Sequence, residues 1–151
     1  MFDKYEKYKV ISNNKILEGQ IDCLEFVKGD ALSVLEKARD YIHQGWALLN
    51  HPLYGNFTPR QQPYRTILLG LRVSKEHKPF NVDLESLGLI EKSILKFRSG
   101  MPEGSKNPPR VESVAEDYAI LDLYLVSVNL NRYGIKYDFS KAISNGINTG
   151  W

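Results

Sequence analysis

The chain is poor in cysteine and histidine, the side chains on which most metal and redox sites depend. Its 151 residues include one cysteine and three histidines. A single cysteine excludes a disulfide within the chain, which favours a reducing compartment. Cys23 falls in an apolar stretch that predicts a strand, so we expect a buried, unreactive thiol. His43, His51 and His77 match no metal-ligand spacing, and we predict neither a metal site nor a cofactor.

An excess of one charge and a long apolar run are also lacking. Twenty lysine and arginine residues against eighteen aspartate and glutamate residues leave a net charge of +2. This bias is too small to predict binding to nucleic acid or to an anionic membrane. No run approaches the roughly 18 apolar residues of a spanning helix, and the charged N-terminus lacks the apolar segment of a signal peptide. We expect a soluble, cytoplasmic protein whose residues 1–151 form a single domain.

The short motifs of common enzyme classes are missing as well. The chain has no Gly-x-Gly-x-x-Gly, no Walker A pattern, no His-Glu-x-x-His and no Cys-x-x-Cys. It also has no Gly-x-Ser-x-Gly nucleophile elbow. Motifs therefore supply no catalytic residues, which stay unknown.

Apolar patterning predicts three strands and three helices. The predicted strands centre on residues 9–12, 23–27 and 66–69. The predicted helices cover about 31–50, which Asp30 caps, 84–101, which Asp83 caps, and 111–132. The continuous apolar run at 66–69 is typical of a strand covered on both faces. These elements predict an α/β fold, a small three-layer domain with a short, mostly parallel sheet flanked by helices.

The third predicted helix is unusually apolar, because almost every position from Ile120 to Leu130 is apolar and several are β-branched. Such a segment is either a helix buried on more than one side or partly a strand, and we favour the helix. Its surplus apolar surface fits a contact with a second copy of the chain, and it fits a central position in one domain equally well.

The segment from Asn50 to Arg65 is long for a connection inside a compact domain. Its aromatic side chains and prolines predict an ordered segment. One interpretation is a cover over one end of the sheet, with His51 as a helix C-cap. The other is a preformed polar pocket that holds a small anionic ligand, since arginine suits bidentate contacts with carboxylate or phosphate. The residues predicted to bind in this pocket are His51, Asn56, Arg60, Tyr64 and Arg65.

A rival site lies at the carboxyl ends of the predicted parallel strands, where ligands of open α/β sheets usually bind. Asn13 and Asn14 follow the first strand, and Asp30 follows the second. In a parallel sheet the segment 50–63 begins at the opposite edge. The two predicted sites are therefore rival locations, and the sequence does not choose between them.

The segment around His51 also resembles a known family. The resemblance to the GrdX-like family rests on Arg39, His43, His51-Pro52-Leu53, Gly55, Pro59, Pro63-Tyr64 and Ile67. Weaker matches are Asn13-Asn14, Glu25-Phe26-Val27, Asp83-Leu84-Glu85-Ser86-Leu87, Asp117 and Leu121-Asp122. The resemblance implies a family core at about 9–132, followed by a C-terminal extension at 133–151. Members of this family are small proteins encoded with the glycine, sarcosine and betaine reductase components of amino-acid-fermenting anaerobes.

The resemblance implies an accessory or regulatory binding protein for that reductase pathway, with a reductase component or a small anionic ligand as its partner. It brings no catalytic residues, and one cysteine cannot supply redox thiols. One alternative is a small enzyme acting on an anionic amino-acid-derived or acyl-phosphate substrate, with His51 as acid and base. Another is a structural partner that docks through the helix at 111–132.

Overall fold

The computed structural model describes residues 5–55, 62–72, 81–99 and 112–140, with the main chain alone at 112–115. Within these ranges the chain forms four strands and three α-helices, which confirms the α/β class. A 3-10 turn at Lys15–Leu17 connects the first two strands. The elements, in chain order, are β1 (Lys7–Ser12), β2 (Leu24–Phe26), α1 (Ala31–His43), β3 (Ala47–Leu48), β4 (Thr66–Leu71), α2 (Leu84–Ser99) and α3 (Glu112–Arg132).

The four strands form a mixed sheet in the order β2-β1-β4-β3. Only β1 and β2 pair in parallel, whereas β4 is antiparallel to both of its neighbours, so the prediction of a mostly parallel sheet is wrong. The antiparallel direction of β4 results from β3, a strand that the sequence analysis did not predict. The helix α1 connects β2 to β3, two strands of the same direction, and the chain then turns back into β4.

The first helix ends earlier than predicted. We expected it to continue to Asn50, but α1 ends at His43. Gly45 has a φ of 104°, a left-handed conformation in which glycine often terminates helices. The Trp46 amide donates to the Tyr41 carbonyl at 3.1 Å, which satisfies a carbonyl at the helix end. The chain therefore leaves the helix at Gly45 and enters β3 one residue later, after Trp46.

Side chains alternate between the two faces of the sheet and create two apolar cores. Val10 and Leu68 pack toward α3, together with Leu123. Ile11 and Ile67 point to the other face, where α1 and α2 cover them. The molecule thus has three layers, and α3 is a helix throughout its length, as we favoured.

The chain continues past α3 and packs back on the body. Gly134 turns with a φ of 68°, Tyr137 forms a bridge with Ile21, and Phe139 is buried. In the described part of the chain, no helix combines the length and apolarity that crossing a membrane requires.

Candidate functional site

The antiparallel direction of β4 brings the two predicted site regions together. Because β4 starts where β1 ends, Ser12 pairs with Thr66. The Arg65 amide donates to Asn13 Oδ1 at 2.9 Å, and Asn13 Nδ2 donates to the Pro63 carbonyl at 3.0 Å. The expectation that these regions lie at opposite edges of the sheet is therefore wrong.

One carboxylate lies at the centre of this edge, by which we mean the end of the sheet where β1 ends and β4 begins. The sequence analysis did not propose it as a site residue. Asp122, on α3, is fully buried. Its Oδ2 accepts hydrogen bonds from Thr66 Oγ1 at 2.7 Å and from Asn14 Nδ2 at 3.1 Å, and its Oδ1 accepts one from the Tyr54 hydroxyl. We call Ser12, Asn14, Tyr54, Thr66 and Asp122 the Asp122 network.

In the Asp122 network, hydrogen bonds form two series in which each group donates to the next, and both series lead to Asp122. The Thr66 hydroxyl donates its hydrogen to Asp122, so in its 2.8 Å contact with Ser12 the serine must be the donor. Ser12 Oγ in turn accepts from the Asn14 amide at 3.0 Å. In a second series of hydrogen bonds the Thr66 amide donates to the Tyr54 hydroxyl at 2.9 Å, and that hydroxyl donates to Asp122. Both series thus end on one carboxylate, which only accepts hydrogen bonds when it is ionised.

Burial dominates the acid–base properties of this network. It raises the pKa of the Asp122 carboxyl, while the hydrogen bonds from Tyr54, Thr66 and Asn14 and the charge of Arg65 act in the opposite direction. Burial also raises the pKa of the Tyr54 hydroxyl well above its usual value, and the charge of Asp122 adds to this effect. Tyr54 therefore remains a hydrogen-bond donor at neutral pH.

Arg65 is buried beside the Asp122 network, with 1% of its surface exposed. Its Nη1 donates to the Tyr54 carbonyl at 3.0 Å, and its guanidinium carbon lies 4.9 Å from the centre of the Tyr54 ring. The Nε atom is buried and finds no hydrogen-bond partner within the part of the chain that the structure describes. Among the described residues, no carboxylate forms an ion pair with Arg65. The guanidinium is therefore a buried cation with an unused donor.

Asn50 joins the same edge through its side chain. Its Nδ2 donates to the Thr66 carbonyl at 2.9 Å, and its Oδ1 accepts from the Leu68 amide at 2.9 Å. The amide group thus replaces backbone pairing and extends the contact between β3 and β4. Asn50, Tyr54, Thr66 and Asp122 were absent from the predicted site. A signal existed for Asp122, which lies on the same helical face as the apolar positions 119 and 126.

The structure separates the residues predicted for the binding loop. His51 is exposed and follows β3, so its predicted role as a helix C-cap is wrong, and its Nδ1 accepts from the Leu53 amide at 3.0 Å. Tyr64 is half-buried, and its amide donates to Gln62 Oε1 at 3.1 Å. Of the three predicted residues that the structure describes, Arg65 alone is buried in the site. Asn56 and Arg60 lie outside the described residues.

The residues of the rival site also separate. Asn13 and Asn14 are buried, and both contribute side-chain hydrogen bonds at this edge. Asp30 is exposed, and its Oδ1 accepts from the Ser33 amide at 2.8 Å, so it caps α1 as predicted. The cap joins the edge only indirectly, because Asn13 Nδ2 donates to the Gly29 carbonyl at 3.2 Å.

Cys23 lies away from this edge and is half-buried. Burial raises the pKa of its thiol, so the protonated, unreactive form predominates at neutral pH. The residues that the structure describes contain no group of three histidine, cysteine or acidic side chains able to hold a metal ion.

Fold and site together define a small α/β protein with a buried polar network at one edge of a mixed sheet. A family model described as GrdX-like protein matches residues 9–131. The chain therefore belongs to the GrdX-like protein family, as the motif around His51 indicated. The matched range includes Arg65 and the whole Asp122 network. Comparisons with curated proteins and with solved structures gave no match.

Proposed function

We propose that this chain is an accessory or regulatory binding protein linked to the glycine, sarcosine and betaine reductase pathway of anaerobic amino-acid fermentation. We further propose that it recognises an anionic group through Arg65. The name of the family supports the link to glycine reductase. The observation that carries the binding role is the buried Arg65 guanidinium, which forms no ion pair with a carboxylate of the described residues.

A buried cation that makes no close ion pair is unfavourable, because burial removes its hydration. Asp122 compensates this only in part, since its oxygens already accept three hydrogen bonds and it makes no ion pair with Arg65. The guanidinium has five N–H donors in a planar fork, and the Tyr54 carbonyl accepts one of them. A carboxylate or phosphate that pairs with the unused Nε donor would neutralise the charge.

The turn at 52–55 controls access in this proposal. The Tyr54 ring and carbonyl cover the guanidinium, and the Tyr54 hydroxyl is tied to Asp122. In this proposal an anion reaches Arg65 when this turn moves and the bond between Tyr54 and Asp122 breaks. Ligand binding would thereby change the surface around 52–55, which is the property that a regulatory protein needs.

The direct test is thermal unfolding with acetate, phosphate, acetyl phosphate, glycine, sarcosine and betaine, each against sodium chloride at equal ionic strength. A ligand at ten times its Kd stabilises a native state by about 1.4 kcal/mol. For a chain of this length that corresponds to roughly 3–6 °C in Tm. We expect at least one carboxylate or phosphate to produce such a shift.

Two variants locate the effect at Arg65. Arg65→Met removes the charge, and Arg65→Lys keeps the charge but loses the planar fork, so the shift should vanish in the first and shrink in the second. Arg98→Gln is the matched control, because Arg98 is exposed and pairs with Glu36 at the surface. A shift that persists in Arg65→Met, or the absence of a shift with every anion, contradicts the proposal. Circular dichroism establishes that each variant is folded.

The accessory role has its own test. Purified reductase components, mixed with this protein at micromolar concentration, should form a complex that sedimentation velocity detects. A ligand identified in the thermal assay should change the affinity of that complex. An unchanged affinity would separate anion binding from any regulatory role.

Two other roles stay predictions. A small enzyme with His51 as acid and base requires turnover that His51→Ala abolishes; the exposed imidazole at present accepts one hydrogen bond from Leu53. A docking role for α3 has one favourable observation, because Tyr124 and Val128 are 54% and 69% exposed on its outer side. Binding of a reductase component that Val128→Lys abolishes and Arg65→Met leaves intact would favour docking.

A further inference from the structure

A second candidate site lies at the edge of the sheet opposite to the Asp122 network. There β1 and β3 begin, β4 ends and the N-terminal end of α2 approaches them, leaving a cleft of about 440 Å³. Pockets that hold small molecules start at roughly 300 Å³. The cleft is therefore large enough for a ligand of amino-acid size.

One wall of the cleft is built around Gly70. A Cβ atom at this position would lie 2.6 Å from the Tyr5 ring, so only glycine lets the ring rest on β4. Tyr8 and Tyr133 hold the same ring through edge contacts, with centroid distances of 6.2 and 6.3 Å. The Arg72 guanidinium carbon lies 5.1 Å from the ring centre. The aromatic contacts thus position a cation in the wall of the cleft.

The wall formed by α2 is equally well fixed. The Leu48 amide donates to Ser86 Oγ at 2.9 Å, and the Ser86 hydroxyl donates to Asp83 Oδ2. The Ser86 amide also donates to Asp83 Oδ2, at 3.3 Å. No described residue donates to the other oxygen of Asp83. Glu85, which also lines the cleft, makes no ion pair with a described residue.

The lining therefore carries a guanidinium that lies over the Tyr5 ring, together with two carboxylates that have no cationic partner among the described residues. We propose that this cleft binds a small zwitterion, whose ammonium group contacts Asp83 and Glu85 and whose carboxylate contacts Arg72. An ammonium group has three donors for the two carboxylates, and the guanidinium fork matches a carboxylate. The Ser86 and Tyr5 contacts hold both walls in place before binding.

Three probes of similar size separate the two charges: glycine carries both, methylammonium carries the positive charge alone, and acetate carries the negative charge alone. Two-dimensional NMR follows each titration at constant ionic strength. The amide signals of Gly45 and Gly70 report on the cleft, and those of Gly29 and Gly55 report on the opposite edge of the sheet. We expect glycine to move the Gly45 and Gly70 signals at the lowest concentration, methylammonium at a higher one and acetate not at all.

Charge-removing variants test the assigned residues. Asp83→Asn keeps a residue that caps helices well, and Glu85→Gln changes an exposed side chain. Loss of a charge-assisted hydrogen bond should weaken glycine binding about tenfold or more in each variant. Asp40→Asn, an exposed change of the same charge on α1, should leave binding unaltered.

The outcomes distinguish the two sites. Equal responses to acetate and glycine at Gly45 and Gly70, or full affinity in the variant with both carboxylates removed, would overturn the zwitterion site. Signals that move only at Gly29 and Gly55 would also overturn it, while favouring the anion site at Arg65. Arg65→Met should leave the cleft titration unchanged, so failure at Arg65 and failure at the cleft are separate results.

Discussion

Replacing Asp122 with asparagine exchanges one carboxylate oxygen for an NH₂ group, at the residue where both series of hydrogen bonds end. The Thr66 and Tyr54 hydroxyls each donate to one carboxylate oxygen, and Asn14 adds a third donor. Asparagine offers one acceptor oxygen and turns an NH₂ group toward a hydroxyl that already donates. A hydroxyl that accepts from this NH₂ group can keep the hydrogen bond it already accepts, from Ser12 or from the Thr66 amide, but its own hydrogen loses the carboxylate acceptor.

The loss of stability in Asp122→Asn can be estimated from the number of buried donors that lose their acceptor. A buried donor without a partner costs about 1–3 kcal/mol, and asparagine affects one or two of them. Removing a buried charge offsets part of this, because burial raises the pKa of Asp122 and so disfavours the ionised form. We expect a net loss of about 2–4 kcal/mol in the free energy of unfolding. For a domain of this length, the Tm should fall by roughly 5–15 °C.

Urea and thermal unfolding of Asp122→Asn, followed by circular dichroism, measure this loss. Asp117→Asn is the matched control, since Asp117 is an exposed residue of the same helix, and its effect should stay within about 0.5 kcal/mol. A double-mutant cycle with Tyr54→Phe tests the direction of the hydrogen bonds. With one donor already removed, Asp122→Asn should cost about 1 kcal/mol less than it does alone.

The reasoning fails if Asp122→Asn unfolds at the same temperature as Asp117→Asn. It also fails if the two changes in the cycle are additive, because the Tyr54 hydroxyl would then not depend on the carboxylate. Either result would mean that the hydroxyls find other acceptors at no cost.

Three further changes test the fold. Leu68→Asp places a carboxylate in the core beneath α3 and should cost several kcal/mol, of order 3–5; an unchanged urea midpoint would contradict this position. Gly70→Ala brings a methyl group 2.6 Å from the Tyr5 ring and should cost about 1–3 kcal/mol in thermal unfolding. The hydrogen bond with Glu25 raises the pKa of Tyr41 to about 12, whereas an unfolded tyrosine ionises near pH ~10. Stability should therefore fall between these two pH values, and less steeply in Tyr41→Phe; parallel pH curves would refute the assignment.

Elements with strong local signals could be predicted from the sequence. Asp30 and Asp83 cap helices as expected, and the apolar run at 66–69 lies in a covered strand. The end of α1 could not be predicted, because Trp46 and Leu49 continue the helical spacing by coincidence. The chain leaves the helix at Gly45, and a strand of two residues is too short to produce a pattern of its own.

Because the strand direction was predicted wrongly, the sequence analysis also failed to bring the residues of the candidate site together. Asn13, Asn14 and Arg65 were each proposed as site residues, but a parallel arrangement assigned them to different edges. Their contact depends on β4 running against β1, which is set by the unrecognised β3. Asp122 was missed for a related reason, since only the three-dimensional fold shows which polar groups its helical face meets.

The one-way hydrogen bonds of the Asp122 network also rank its positions by how freely they can vary among relatives. Ser12 lies near the start of one series of hydrogen bonds; an alanine there removes the donor to Thr66 and the acceptor of the Asn14 amide, but it leaves Thr66 bonded to the carboxylate. Asp122 lies at the end of both series of hydrogen bonds, and its loss leaves every hydroxyl that donates to it without an acceptor. In related sequences, position 12 should therefore vary alone, whereas a change at position 122 should coincide with changes at 54 and 66.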